Sequence, residues 1–345
     1  MPSLFGNALD LQSWEHKARA RRKNAAAMLR RRQQLQRPGL QSKRPFKFSF
    51  RNFVLVVLLL GGLTIAPSVY FFLTETKNHD CDWLRRPPMV CAHGGDSSGA
   101  PPNTLAAYQL ALDAEVDCVE VDASRTRDGI LLAIHDRELA IMSDHPGARV
   151  GNFTANQIKQ FDASWGSHHN VQKQQVPSLD DALQFMRKHV KQIIVDAKVG
   201  PPLYEQRLTK DILTVIKRSE CSNCVVWAKN DGFVADITRH TTKTKYVQTG
   251  YIVMNDTTTG KVSELVRLKG AEVVGIYHGL VNSKVVRYLH RNGRKAYAWT
   301  VDTAEAMSDM LKANVDAIIT CNPRLLQQVM ENERQACKEE SFGIN

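Results

Sequence analysis

Short apolar runs alternate with stretches of helical hydrophobic spacing from Met89 towards the C-terminus. Apolar runs bounded by turn residues are typical of buried strands, and their alternation with helices predicts a parallel sheet covered by helices. The predicted strands are Met89–Ala92, Cys118–Val121, Ile130–Ile134, Gln192–Val195, Cys224–Trp227, Val247–Val253, Val273–Ile276, Ala296–Val301 and Ala317–Ile319. The predicted helices are Thr104–Ala114 with Asn103 as its N-cap, Ser178–His189, Tyr204–Lys217, Ser283–Arg291, Thr303–Lys312 and Asn322–Glu333.

This pattern predicts an α/β fold, a (β/α)8 TIM-like barrel over residues 89–330 followed by a C-terminal tail at 331–345. About 240 residues is the size expected for such a barrel. Nine predicted strands are one more than the barrel holds, and the sequence does not show which is surplus. A doubly wound open sheet is the alternative. It is disfavoured because Gly94-Gly95 followed by Gly99 is not a nucleotide-binding fingerprint.

The connection between Asp122 and His135 is too short for a crossover helix, which needs a dozen or more residues. Asp128-Gly129 is a strong turn signal. We therefore expect 123–127 to run along the outside of the barrel away from the C-terminal rim, and Ile130–Ile134 to return to that rim. Asp122 and His135 then both reach the C-terminal rim, where barrel active sites lie.

An uncharged apolar segment, Phe53–Leu73, precedes the predicted barrel. Its length matches the roughly 20 residues needed to cross a bilayer as a helix. It predicts one transmembrane signal-anchor helix, with a basic tail at 1–52 and a polar stalk at 74–88. A buried core helix is the alternative, disfavoured because no charge interrupts the run.

The net positive charge comes from the N-terminal tail. Residues 1–52 hold thirteen Lys and Arg against two acids, which accounts for the whole net charge of +11. The positive-inside rule therefore predicts a single-pass membrane protein with a cytosolic N-terminus and a lumenal or extracellular barrel. No nucleic-acid partner is expected, because the rest of the chain is close to neutral.

Cysteines and sequons fit an oxidising, glycosylating compartment. All seven cysteines follow the apolar segment, and Cys221 and Cys224 are spaced for a local disulfide rather than a zinc site. Two N-x-S/T sequons begin at Asn152 and Asn255, which predicts a glycoprotein.

Candidate chemistry lies at the ends of the first predicted strands. Glu120 and Asp122 share one face of a strand, and two adjacent carboxylates require a proton or a cation. His93 and His135 also follow predicted strands and can exchange protons near neutral pH. Each motif alone is more often a solvated strand end; together they predict a metal-dependent active site.

Taken in order, these motifs resemble the glycerophosphodiester phosphodiesterase family, and a membrane-anchored, plant-type member is most similar. The family pattern runs His-Arg-Gly, Pro-Glu-Asn-Thr, Glu-Leu-Asp, Thr-x-Asp-Gly, His-Asp, Pro-x-Leu-x-Glu, Glu-x-Lys, Trp-Thr-Val-Asn and Thr-Asp-x-Pro. The corresponding segments here are His93–Gly95, Pro101–Thr104, Glu120–Asp122, Thr126–Gly129, His135-Asp136, Pro177–Asp181, Asp196–Lys198, Trp299–Asp302 and Thr320–Pro323.

The resemblance implies hydrolysis of glycerophosphodiesters to sn-glycerol 3-phosphate and an alcohol. It implies that His93 and His135 are the acid and base, without deciding which is which. It also implies that Glu120, Asp122 and Asp196 bind the metal, which an all-oxygen ligand set predicts to be Ca²⁺ or Mg²⁺. Lys198 and Trp299 are expected to contact the substrate, and the backbone of Gly94 and Gly95 to bind its phosphate.

Two departures from the family pattern concern groups that handle phosphate or metal. Gly94 replaces the arginine of His-Arg-Gly, and Pro102 replaces the glutamate of Pro-Glu-Asn-Thr. Asp96 is a candidate to return the lost acid. These departures keep two alternatives open: a lysophospholipase D-type activity favoured by the membrane tether, and a weakened barrel that serves as a membrane-bound interaction protein.

Overall fold

The computed structural model describes residues 81–165, 172–200, 207–241, 247–255 and 259–342. Within these residues the backbone forms nine strands: β1 (Met89–His93), β2 (Cys118–Arg125), β3 (Leu131–Ala133), β4 (Gln192–Ala197), β5 (Cys224–Ala228), β6 (Gln248–Val253), β7 (Val273–Tyr277), β8 (Lys295–Trp299) and β9 (Ala317–Thr320). Strands β1, β2 and β4 to β9 pair in parallel, and the pairing of β1 with both β2 and β9 closes the sheet. The predicted eight-stranded barrel is confirmed.

Helices cover the barrel on its outside. They are α1 (Leu105–Asp113), α2 (Asp136–Met142), α3 (Ala155–Ile158), α4 (Leu179–Met186), α5 (Leu208–Arg218), α6 (Asp231–Thr241), α7 (Ser283–Arg291), α8 (Ala304–Ala313) and α9 (Pro323–Phe342). Helices α2, α3 and α6 were not predicted. The last helix continues through 331–342, where the sequence suggested a C-terminal tail.

The surplus strand is β3. It pairs antiparallel with the far end of β2, with Ala123 opposite Ala133, and Gly129 takes a positive φ of 84° in the turn between them. The hairpin prediction is therefore confirmed, but its predicted direction was wrong. Strand β2 continues past Asp122 as regular strand to Arg125 before the chain turns back, and Ile134 N then donates to Asp122 O at 3.2 Å. This return places His135 beside the end of the barrel strand.

Two apolar layers hold the barrel. The larger layer lies between the strands and the surrounding helices, and a smaller one fills the barrel interior. In the interior, Trp227 and Tyr297 meet edge to face at 6.4 Å, and Tyr297 Oη donates to Gln192 Oε1 at 2.8 Å. Side-chain filling makes the barrel a solid support, so chemistry is confined to its rim.

Three disulfides join parts of the fold. Cys221–Cys224 is the predicted local bridge, and Cys91–Cys118 links the adjacent strands β1 and β2. Cys81–Cys337 ties the start of the described chain to α9, across 256 residues of sequence. This third bridge fixes the segment 331–342 to the domain.

The basic tail, the apolar segment Phe53–Leu73 and residues 74–80 of the stalk lie outside the described residues. Among the residues that are described, no helix is long and apolar enough to cross a membrane. The transmembrane segment therefore stays a prediction.

Candidate active site

Three carboxylates meet at the C-terminal rim, as predicted. Glu120 and Asp122 lie on β2, and Asp196 on the neighbouring β4, with Asp122 and Asp196 in register. One carboxylate oxygen from each lies within 4.8 Å of the others, and all three residues are buried. The period-two geometry of strands directs Glu120 and Asp122 to the same side, so their sequence spacing produces this pair and the register of β4 adds the third carboxylate.

Lys198 supplies one positive charge to the three carboxylates. Its Nζ lies 2.5 Å from Asp122 Oδ1 and also pairs with Asp196. Burial, reinforced by the Asp122 carboxylate, raises the pKa of Glu120 well above its usual range. Burial also acts to raise the pKa of Asp122, but the Lys198 ammonium and the two nearby histidines outweigh it and lower that pKa.

The cluster therefore fits a divalent cation. One ammonium group neutralises only one of the three buried carboxylates. The pKa of Glu120 is raised because its charged form is buried beside another carboxylate. The donor atoms are all oxygens, which suits Ca²⁺ or Mg²⁺. The residues present thus fit the predicted type of metal, Ca²⁺ or Mg²⁺.

Asn103 is a site residue that sequence reasoning missed. Its Nδ2 donates to Asp122 Oδ2 at 2.8 Å, and its Oδ1 accepts from Asp122 N at 3.1 Å. The prediction that Asn103 caps α1 was wrong, because Thr104 Oγ1 caps the helix by accepting from Ala107 N. Asn103 takes a positive φ of 60°, which Asn tolerates better than most residues, and fixes the orientation of Asp122.

His135 lies at the rim and also caps α2. Its Nδ1 accepts from Arg137 N at 3.2 Å, while Glu138 Oε2 accepts from His135 N at 2.6 Å. Burial and the Lys198 ammonium lower the pKa of His135 to about 4, against the opposing pull of Asp122. Since Nδ1 accepts a hydrogen bond, the neutral ring carries its proton on Nε2.

Glu138 is a second residue without a predicted role. Besides His135 N, it accepts from Asn103 Nδ2 at 3.3 Å, and the same Nδ2 also bonds Asp122. Burial and the Asp122 carboxylate raise the pKa of Glu138 to about 7. Glu138 therefore titrates near neutral pH in the metal-free protein.

Replacing Glu138 with Gln should flatten the pH dependence of stability between about pH 4.5 and 7. The folded-state pKa exceeds the ordinary value of 4.5, so the wild type holds a proton that the unfolded chain releases. Wild-type stability attributable to this group is therefore lost as pH rises through the window. The measurement is the free energy of unfolding in denaturant, with chelator, at several pH values. Parallel pH curves for the two proteins would contradict this role.

His93 ends β1, in register with Glu120 on β2. Its Nδ1 lies 3.6 Å from the free thiol of Cys321, which stands where the family pattern has Asp. Asp302 Oδ1 accepts from Cys321 N at 2.7 Å. Burial lowers the pKa of His93, and the Asp122 carboxylate only partly opposes this. His93 is therefore a neutral imidazole at physiological pH.

The backbone N–H of Gly94, expected to bind phosphate, is hydrogen-bonded within the protein. Gly94 N donates to both Glu120 O and Glu120 Oε2 at 3.1 Å, so this N–H serves the carboxylate cluster rather than a phosphate. Gly95 is buried against α1, where an added Cβ would lie 2.6 Å from Ala107 C. Asp96 is not in the carboxylate cluster; its Oδ1 accepts from Ser98 Oγ at 2.6 Å.

Trp299 lies at the rim end of β8. Its ring meets Tyr277 edge to face at 6.0 Å, and its Nε1 is buried without a hydrogen-bond partner in the part of the chain described. Lys229, which follows β5, places its Nζ 5.7 Å from the Trp299 ring centroid. Lys229 was not identified from the sequence.

A cleft of about 270 Å³ opens beside the carboxylates. Its lining includes His135, Asp196 and Lys198, together with Lys229 and the start of the loop after β4. Three carboxylates, two histidines, two lysines and an indole thus lie at the same end of the barrel. This arrangement can hold a cation and an anionic group side by side.

Comparisons with known proteins show the family to which this chain belongs. The profile of the "Glycerophosphoryl diester phosphodiesterase family" matches residues 93–325. Glycerophosphodiester phosphodiesterase GDPD4 of Arabidopsis thaliana is 44% identical over 300 residues, which cover 85% of this chain and 90% of the relative. The predicted similarity to a plant-type member is therefore confirmed.

Solved structures show the same fold at low sequence identity. A phosphodiesterase from Oleispira antarctica, in complex with the product sn-glycerol-3-phosphate, superposes with a TM-score of 0.60 at 22% identity, covering 71% of this chain and 97% of that one. Glycerophosphodiester phosphodiesterase from Agrobacterium tumefaciens gives 0.56 at 19% identity, covering 70% and 99%. By its sequence, this chain belongs to the glycerophosphoryl diester phosphodiesterase family.

Proposed function

We propose that this chain hydrolyses glycerophosphodiesters to sn-glycerol 3-phosphate and an alcohol, with a divalent cation at Glu120, Asp122 and Asp196. The observation that carries the proposal is the buried cluster of three carboxylates, with His93 and His135 near enough to act electrostatically on Asp122. Family membership supports the reaction class. The bound cation would supply charge stabilisation at a phosphate oxygen and a lower pKa for the attacking hydroxyl, whether water or the substrate's own 2-hydroxyl.

The contacts of the two histidines favour His93 as the general base. The His93 ring is neutral, and its only described hydrogen-bonding partner is the weak Cys321 thiol, so it can accept a proton from the attacking hydroxyl. His135 faces the leaving alcohol in this assignment. To act as the acid, His135 must be protonated on Nδ1, which then can no longer accept the hydrogen bond from Arg137 N. An anionic phosphate bound beside the ring raises its pKa and so favours this protonated form.

Release of glycerol 3-phosphate from glycerophosphocholine tests the proposed function. The full chain in detergent is assayed with Ca²⁺, with Mg²⁺ and with chelator, and lysophosphatidylcholine is offered in parallel. We expect turnover of the glycerophosphodiester that chelator abolishes. Choline release from the lysolipid alone would support the lysophospholipase D alternative. Absence of turnover on every substrate and metal would overturn the proposal and favour the interaction-protein alternative.

We also propose that the segment Phe53–Leu73 anchors the protein with the barrel in a lumenal or extracellular compartment. The charge asymmetry of residues 1–52 supports this orientation. Asn152 of the first sequon is exposed, so a glycan is sterically accommodated there. In sealed microsomes the barrel should resist external protease, and Asn152→Gln should remove one glycan. Digestion of the barrel from the cytosolic side would contradict this topology.

A further inference from the structure

Four cationic side chains line the cleft beside the carboxylates: Arg125, Arg149, Lys198 and Lys229. Three of them are committed to carboxylates. Arg125 pairs with Asp211 at 2.7 Å, Arg149 with Asp136 at 3.2 Å, and Lys198 with Asp122 and Asp196. Lys229 has no carboxylate partner among the residues the structure describes.

The sheet register places Lys229 next to the cluster. Asp196 on β4 lies opposite Trp227 on β5, so Lys198 and Lys229 follow at equivalent positions beyond the two strand ends. The Nζ of Lys229 also lies 5.7 Å from the centroid of Trp299. Lys229 therefore lies near both the carboxylate cluster and the Trp299 ring.

In this position the Lys229 ammonium group lacks a described carboxylate partner, and an anion bound in the cleft could pair with it. Partial desolvation and the nearby Lys198 ammonium both disfavour the charged form of Lys229 and lower its pKa. A cation–π contact at 5.7 Å compensates only weakly for the absence of an anionic partner. An anionic oxygen in the cleft would relieve the repulsion between the two ammonium groups and accept a charge-assisted hydrogen bond.

We propose that Lys229 binds a non-bridging phosphate oxygen of the substrate and so supplies a phosphate-holding cation in this site. The proposal rests on the proposed function, whose substrate carries that phosphate. No other residue lining the described cleft offers an uncommitted positive charge, and Gly94 has no side chain to offer one.

Lys229→Met removes the charge while keeping most of the side-chain volume. It should lower kcat/KM for glycerophosphocholine by about 10- to 100-fold, because hydrogen bonds to charged groups are individually strong. Lys229→Arg should recover most of the loss. Lys284→Met, on the outer helix α7, is the matched control and should behave as the wild type.

A binding measurement separates this inference from the proposed activity. Titration calorimetry with glycerol 3-phosphate and with inorganic phosphate, in chelator, needs no turnover. We expect both ligands to bind Lys229→Met at least about 10-fold more weakly than they bind wild type or Lys284→Met. Equal affinities for Lys229→Met and wild type would overturn the role of Lys229, whatever the activity. Inactive wild type with intact, Lys229-dependent phosphate binding would reject only the proposed reaction.

Discussion

Replacing Glu120 with Gln should abolish turnover while leaving the metal-free protein at least as stable as the wild type. Burial and the Asp122 carboxylate raise the pKa of Glu120, so without a metal the folded state favours its protonated, neutral form. Gln is close in shape to that form. With a cation bound, however, Gln offers no charge, and loss of a metal's charge stabilisation costs several kcal/mol in the transition state, or about 10³-fold or more in rate.

The measurement is a pair of unfolding curves, one in chelator and one in excess Ca²⁺ or Mg²⁺. Wild type should gain stability from the metal, by about 2.7 kcal/mol at 100 times the dissociation constant. Glu120→Gln should gain much less. In chelator, wild-type stability should fall as pH rises above the ordinary range of a glutamate, because the raised pKa makes the folded state hold its proton. Glu120→Gln should show a smaller fall, because only the contribution of Glu138 remains.

Asp122→Asn is the informative contrast, because Asp122 is ionised in the folded state. It contacts Lys198 at 2.5 Å and accepts from Asn103 Nδ2. Removing one partner of a buried ion pair costs about 3–5 kcal/mol, and the remaining contact of Lys198 with Asp196 places our expectation at the lower end. Asp122→Asn should thus lose both activity and metal-free stability. If both variants kept wild-type turnover and were stabilised by metal as much as the wild type, the proposal that this cluster binds the cation would be wrong.

The sequence was sufficient for the barrel and for the residues that lie on strands. Strand periodicity fixes which side chains share a face, so Glu120 and Asp122 could be grouped from their spacing, and the family motif added Asp196. The Asp128-Gly129 turn could likewise be identified from its residue types. The direction of the hairpin could not, because it depends on how far β2 stays hydrogen-bonded beyond the rim.

The sequence did not predict the roles of residues that act through contacts with positions far away in the chain. Asn103 reads as an ordinary helix cap, yet it bonds Asp122, which is 19 positions away. Lys229 can be identified as a candidate only when the structure shows that the other cations lining the cleft are paired with carboxylates. The bridge between Cys81 and Cys337 spans the whole domain, and spacing alone gives no reason to choose it over other pairings.

The departures from the family pattern at Gly94 and Pro102 lie close to each other. Gly94 takes a positive φ of 65°, and an added Cβ there would lie 3.0 Å from Pro102 Cβ. A side chain at position 94 therefore conflicts with Pro102 as well as with the backbone conformation. Gly94 and Pro102 therefore pack as one unit. Restoring the family arginine at position 94 would also require a change at Pro102 or a shift of its ring.

His135→Asn should lower kcat by about 10²- to 10⁴-fold with little change in the free energy of unfolding. General acid–base help is typically of that size. His135 also caps α2 through its Nδ1, and Asn is a favoured N-cap that can accept the same Arg137 N–H. His135→Ala loses both functions, so it should show a similar kcat and an added destabilisation of about 1 kcal/mol. Comparison of the two variants separates chemistry from capping.

His93 gives the complementary case, since its only described side-chain hydrogen bond is the weak contact with the Cys321 thiol. His93→Asn should therefore lower kcat by about 10²- to 10⁴-fold without a structural penalty. Because both histidines serve one reaction, the double variant should lose less than the product of the two single effects. The measurements are kcat, KM and the free energy of unfolding for the four variants. A loss of stability that tracks the loss of activity, or multiplicative losses in the double variant, would mean that the histidines do not act as an acid–base pair.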